Sequence, residues 1–186
     1  LPSLANHFVY QSYFSYMLAP FVTSEPVLFS SLAVFLHLFG AGFYNFFLLV
    51  TMVLNLLVSY LLFKRYRFGL VYALIFTFST YVWIHLGVHP ALPQLWVIAF
   101  FVHLLFKFDD KGWTGKRVFL LTSVLFGSIL ISNYIGFFLL IFLSLHAVFT
   151  RGNLRHYLLI IFGSVIASAI ILWPFVRIGY IAGSDY

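Results

Sequence analysis

Cysteine is absent from the 186 residues, which excludes disulfides, thiolate metal sites and thiol redox chemistry. Acidic residues are nearly as scarce. Glu25, Asp109, Asp110 and Asp185 are the only four, and no Asp-x-Asp or Asp-Glu pair occurs. Charged residues of both signs make up 8% of the chain, where a soluble domain carries about a quarter. Too few polar side chains remain to cover a surface in water, so lipid is the expected solvent. The chain also lacks a Gly-rich phosphate loop after a strand, a Gly-x-Ser-x-Gly elbow and a His-Glu-x-x-His helix. No basic segment with a small-residue cleavage site follows Leu1, so nothing reads as a signal peptide. A central piece of a longer protein is expected.

What the chain does contain is apolar surface: 63% hydrophobic residues, 22% aromatic, and a mean hydropathy of +1.07. The formal charge of +6 does not point to nucleic acid, because the basic residues form no single aromatic-interleaved patch. They fall in short clusters between apolar runs, which is a membrane-topology signal. Lys64, Arg65 and Arg67 form the first cluster, Lys107, Lys111, Lys116 and Arg117 the second, Arg151 and Arg155 the third; Arg177 stands alone.

The apolar runs are 43–63, 68–84, 91–106, 118–149 and 157–176. A helix rises about 1.5 Å per residue and must cross roughly 30 Å of hydrocarbon. The first and last runs suit single spans, and the two around 68–106 are slightly short. Run 118–149 is too long for one crossing and carries "SNYIG" (132–136) at its middle. A hairpin there returns both flanking basic clusters to one side. Nine of the ten basic residues then share one face, which the positive-inside rule makes cytoplasmic. The expected fold is therefore all-α, a polytopic transmembrane helix bundle of about six spans in a bacterial-type inner or plasma membrane. The spans are 43–64, 68–85, 91–107, 118–132, 134–150 and 156–177, with "HLGVHP" and "SNYIG" as outer turns.

Residues 1–42 differ from the rest. Tyr10, Phe14, Met17 and Phe21 share one helical face, as in an interfacial amphipathic helix. "TSEP" (23–26) reads as a second helix start. One or two outer-face interfacial helices are expected here, with 43–177 as the bundle and 178–186 opening an outer loop. A seventh span over 26–39 is the alternative.

Within the spans, Thr51, Asn55 and Ser59 form a polar stripe, and Gly163, Ser164, Ala167 and Ser168 a small-residue face. Helix packing accounts for both; a substrate or ion path is the alternative. Pro174 is expected to kink the last span. No Asp, Glu, Lys or Arg lies mid-span, which argues against proton pumps, voltage sensors and ion-coupled carriers. His103 and His146 read as neutral packing residues. Asp109 and Asp110 read as part of a solvated loop among lysines rather than as a metal-binding pair.

His85 and His89 have the i, i+4 spacing of helical metal ligands. Gly87 between them and Pro90 after them oppose a continuous helix, and no third ligand is near. An interfacial turn and a contact to substrate or phosphate both remain open. Arg177, the lone basic residue on the outer side, is open between interfacial snorkelling and a phosphate contact.

Several stretches are similar in order to GT-C-type membrane glycosyltransferases. "EPVLFSSLAVFLHLFG" (25–40) resembles their outer-face helix with Pro-Pro-Leu and Leu-Phe-Gly, and "FYNFFLLVTMVLNLLVSYLLFKRYRFG" (43–69) resembles the span that follows it. "ALIFTFSTYVWIHLG" (73–87) resembles the next span, and "LISNYIGFFLLI" (130–141) a hairpin of bacterial members. The resemblance implies inverting sugar transfer from a polyprenyl-phosphate donor on the outer face, often assisted by a divalent metal. The partners it implies are membrane lipid and that donor, with no nucleic acid. It places the catalytic acid in an acidic motif after a first span, upstream of Leu1, so no catalytic residue is assigned here. Glu25 is the one candidate the chain offers, in "EPVL" where the family has paired prolines. His85, His89, Tyr134 and Arg177 are candidates for substrate contact, beside His7 and Asn133 on the same face; no residue is assigned to metal. Competing readings are a transporter or lipid flippase, which intramembrane charge or an inverted repeat would favour, and a non-catalytic membrane scaffold.

Overall fold

The computed structural model describes residues 41–82 and 93–183. Among the described residues the structure is all-helical, without strands. Helix α1 covers Ala41–Phe63 and α2 Gly69–Thr77, with helical backbone resuming at 80–82 after a break at 78–79. Helix α3 covers Trp96–Lys111, α4 Gly115–Ile131, α5 Asn133–Phe149, and α6 Leu154–Gly183 after a 3-10 turn at Arg151–Asn153. Of the expected interfacial segment 1–42, residues 1–40 lie outside the described residues and 41–42 begin α1; the turn "HLGVHP" also lies outside them.

Helix α1 packs on α2 and α3, α3 continues the stack onto α4, and α4 packs on both α5 and α6. The connections explain this order. Turn 64–68 is closed by Tyr66 N–H to Phe63 O at 2.9 Å and Gly69 N–H to Tyr66 O at 3.0 Å. Between α3 and α4 the chain reverses at Gly112, whose φ of 79° suits glycine. Thr114 then caps α4 by accepting from Arg117 N–H. The reversal between α4 and α5 occurs where expected, in "SNYIG". Ser132 ends α4 by donating its N–H to Ser128 O at 2.9 Å, and its extended backbone and hydroxyl start α5, with Ile135 N–H at 3.4 Å. Gly136 permits the tightness of this hairpin: a Cβ there would stand 2.7 Å from the Ile129 Cα.

Burial runs in stripes at helical spacing. Ile135, Leu139, Leu143 and Ala147 of α5 meet Leu121 and Leu125 of α4, Phe101, Leu104, Leu105 and Phe108 of α3, and Tyr157 and Ile160 of α6. Elsewhere the usual sense of amphipathicity is reversed. The buried side of α1 is Thr51, Asn55 and Ser59, whereas Phe46, Leu49, Val53, Leu57 and Tyr60 are exposed. On α2 Gly69, Ala73 and Thr77 are buried while Leu70, Leu74 and Ile75 are exposed. Ser164 and Ser168 lie on the buried side of α6, opposite exposed Phe162, Val165, Ile166 and Ile170. The small-residue face of α6 thus packs: the Ser164 hydroxyl donates to Ile160 O at 2.7 Å and reaches Thr122 O of α4 at 3.2 Å.

Among the described residues two helical segments, Asn45–Phe63 and Leu154–Ile171, are long and apolar enough to cross a membrane, and Gly69–Val82 and Tyr134–Phe149 are shorter apolar helices. Only 17% and 22% of the two longer segments' windows are buried, unlike the core helix of a soluble protein. Several boundaries differ from expectation: α2 breaks after Thr77 inside the expected span 68–85, α3 runs on to Lys111 rather than 107, and α4 starts at Gly115 rather than 118. Helix α3 begins at Trp96 rather than 91, because Pro93 and the Asn55 side chain organise the preceding residues, as described below. Helix α6 continues through Pro174 to Gly183, beyond the expected end at 177.

Candidate functional site

Two polar nodes interrupt the apolar packing. The first is built on α1. Thr51, Asn55 and Ser59 recur every four residues and so share one helix face, and that face meets the start of α3. Asn55 is fully buried. Its amide donates to Pro93 O at 2.8 Å, and its carbonyl accepts the Trp96 backbone N–H at 2.7 Å. The residue at the N-cap of α3 is Leu95, which has no side-chain acceptor. Asn55 therefore caps α3 from another helix and satisfies one of its orphan N–H groups. Gln94 extends the node, donating to Thr51 Oγ1 at 2.9 Å and accepting the Trp96 indole N–H at 2.8 Å. The Ser59 hydroxyl bonds to the carbonyl of Asn55 in its own helix. The polar stripe is thus a packing device, and Gln94 is a member that periodicity did not reveal.

The second node lies at the opposite end of α3, centred on Asp109. Its Oδ1 accepts from Tyr157 OH at 2.6 Å, Trp113 Nε1 at 3.0 Å and Asn153 Nδ2 at 3.4 Å. Its Oδ2 lies 2.7 Å from His146 Nε2. A carboxylate with three donors on one oxygen is an acceptor at the other, which assigns the Nε2 hydrogen to His146. Rings enclose the group. Trp113 stacks on His156 with centroids 5.5 Å apart, Tyr157 meets His146 edge-on at 5.5 Å, and Phe142 stacks on His146 at 6.2 Å.

This corrects the solvated-loop expectation for Asp109. The residue belongs to α3, and its side chain is only 16% exposed. Its neighbour Asp110 does fit that expectation, being 63% exposed and 3.4 Å from Arg65. His146 is hydrogen-bonded packing, as expected. Chemically, both Asp109 oxygens are occupied by donors from four other segments. The node ties α3, the 112–114 turn, α5 and the start of α6 together and leaves no free carboxylate for acid or base work.

The Arg65–Asp110 contact and the Asp109–Asn153 bond bring the three turns 64–68, 112–114 and 150–153 to one end of the bundle. Along the backbone, Lys64, Arg65 and Arg67 lie in the first of these turns, Lys111, Lys116 and Arg117 beside the second, and Arg151 and Arg155 in or beside the third. Arg117 reinforces its turn, donating to Lys111 O at 2.8 Å and to Gly112 O, with its guanidinium 5.7 Å above the Phe108 ring.

Of the residues singled out from sequence, Glu25, His85 and His89 lie outside the described residues. Tyr134 is exposed in the first turn of α5, at the end of the bundle away from the basic turns. Arg177 is on α6, which continues past it. Among the described residues no three His, Asp or Glu side chains converge as metal ligands, so the divalent metal implied by the resemblance has no donor set among them. Comparison with protein-family models, curated proteins and solved structures finds no match.

Proposed function

We propose that the chain is the membrane-embedded helical part of a glycosyltransferase that uses a polyprenyl-phosphate sugar donor on the extracytoplasmic face. Six crossings place the three basic turns on the cytoplasmic side. The observation that carries the membrane part is the reversed burial of α1, α2 and α6. Hydroxyls, an amide and small residues face neighbouring helices, and large apolar side chains face outward. Water penalises that arrangement at about 25 cal/mol for each Å² of apolar surface left exposed, whereas lipid tails do not. The placement of the basic clusters in and beside those turns supports the orientation.

The transferase activity rests on the motif resemblance. The hairpin at Ser132–Gly136 supports it only by placing "SNYIG" and Tyr134 at the end opposite the basic turns. Both parts are open to test. Single cysteines at Lys116, Gly152 and Tyr134, labelled from either side of intact cells or vesicles, read the topology. Labelling of Lys116→Cys and Gly152→Cys from inside and Tyr134→Cys from outside is expected; labelling of Tyr134→Cys and Lys116→Cys from the same side would sink the six-crossing arrangement. Activity is tested by incubating the full-length protein with defined polyprenyl-phosphate sugars and following the sugar. Failure of every donor to yield a glycosylated product removes the transferase reading and leaves the membrane bundle standing.

A further inference from the structure

At the basic end three cations, Lys64, Arg65 and Lys107, act on one side chain, His103, beside a single carboxylate, Asp110. His103, Lys107 and Asp110 lie at i, i+4 and i+7 on α3, one face of the helix. The Arg65–Asp110 contact at 3.4 Å holds turn 64–68 against that face. Lys64 follows directly on α1 in the same turn, and the charges of Lys107, Arg65 and Lys64 all act on His103. Lys64 and Lys107 are exposed and have no side-chain partner among the described residues. Asp109 points elsewhere, into its own ring of donors, and Asp110 offsets only one of the three full charges. Among the described residues two positive charges are left over on the seam between α1 and α3.

The flanks of this seam are apolar. Tyr60, Leu61, Tyr66 and Phe68, the residues next to Lys64 along the chain, are all exposed. An occupant that neutralises the cations and also covers these side chains must carry a phosphate-like anion and an apolar body together. We propose that the α1–α3 seam binds the headgroup of an acidic phospholipid, with Lys64 and Lys107 on its phosphate and the acyl chains along the exposed aromatic flank. A soluble polyanion would satisfy the charges and leave the flank in water. The site rests on the membrane reading above, which puts this end at headgroup depth.

The test uses the full-length protein purified in a zwitterionic detergent and titrated with phosphatidylglycerol, bound lipid being counted by native mass spectrometry. Phosphatidylcholine and inorganic phosphate are the comparison arms. Each lysine near an anionic headgroup contributes about fivefold in affinity. Lys64→Gln with Lys107→Gln is therefore expected to weaken phosphatidylglycerol binding about thirty-fold and to leave phosphatidylcholine unchanged. Lys64→Arg with Lys107→Arg restores it. The control removes the same charge at the same end, as Lys111→Gln with Lys116→Gln, and is expected to change binding less than about threefold. Equal losses in the two double variants would mean diffuse attraction and overturn the site, as would equal binding of the two lipids. Displacement of phosphatidylglycerol by inorganic phosphate would reassign it to a soluble anion. A protein that stays monodisperse without detergent would refute the membrane reading itself, an outcome distinct from all of these.

Discussion

Replacing Asp109 with alanine tests the account of the bundle's basic end most directly. The substitution removes the acceptor for Tyr157 OH, Trp113 Nε1 and His146 Nε2, at 2.6, 3.0 and 2.7 Å, and the longer contact to Asn153. Interhelical hydrogen bonds in membrane proteins average about 0.6 kcal/mol, which sets a floor near 2 kcal/mol for the three short ones. Bonds to a charged group contribute about 1.5–3 kcal/mol each, and stranding a buried donor costs about 1–3 kcal/mol. The 16% and 18% exposure of Asp109 and His146 lets water recover part of that, so about 3 kcal/mol is expected. Asp109→Asn, which keeps one carbonyl oxygen for the Tyr157 and Trp113 donors, should lose about 1–2 kcal/mol. The assay is reversible unfolding of the detergent-solubilised protein, with the double-mutant cycle between Asp109→Ala and Tyr157→Phe isolating their pair. A coupling of about 0.5 kcal/mol or more is expected. A loss below about 1 kcal/mol for Asp109→Ala, together with no coupling, would mean that the node is solvated and the structural reading wrong.

Other substitutions probe separate features in the same assay. Gly136→Ala forces a methyl toward Ile129 and should cost about 1–3 kcal/mol. By contrast Gly127→Ala, with nothing within 4 Å of the added carbon, should be neutral or stabilising by up to about 1 kcal/mol; equal effects at the two glycines would refute the tight hairpin. Asn55→Leu strands the Trp96 N–H and the Pro93 carbonyl and should cost about 2–4 kcal/mol. Ser59→Ala should cost less than about 1 kcal/mol, since its hydroxyl bonds mainly within its own helix; a reversed order would show that Asn55 does not cap α3.

Much of the architecture could be read along the chain. The hairpin in 118–149 was expected from the flanking charges and from "SNYIG", and α4 ends at Ile131 and α5 starts at Asn133. Helix α1 matches its apolar run within two residues at either end. These are local properties: a run of apolar residues, a serine able to cap, a glycine that yields space. The beginning of α3 was less legible. Its first turn depends on a side chain 41 residues earlier in sequence, Asn55 to the Trp96 amide, and no pattern within 91–96 announces it.

Asp109 is the clearest divergence. Lysines at 107, 111 and 116 surround it in sequence, and that neighbourhood reads as solvated. Its partners His146, Asn153 and Tyr157 are 37, 44 and 48 residues away, and only the packing of α5 and α6 beside α3 turns it inward. Asp110, one residue on, rotates by about 100° around the helix and faces out to Arg65. Two adjacent aspartates thus acquire opposite roles from helix rotation.

Composition and periodicity by themselves determined that the described residues are helical, that the run 118–149 breaks at Ser132 and that basic turns alternate with apolar runs, because each of those follows from backbone propensity and the solvation of near neighbours. The tertiary structure alone decided which polar groups meet. A buried donor or acceptor must find its partner wherever the fold brings one, and that partner is set by how helices pack rather than by the residues beside it.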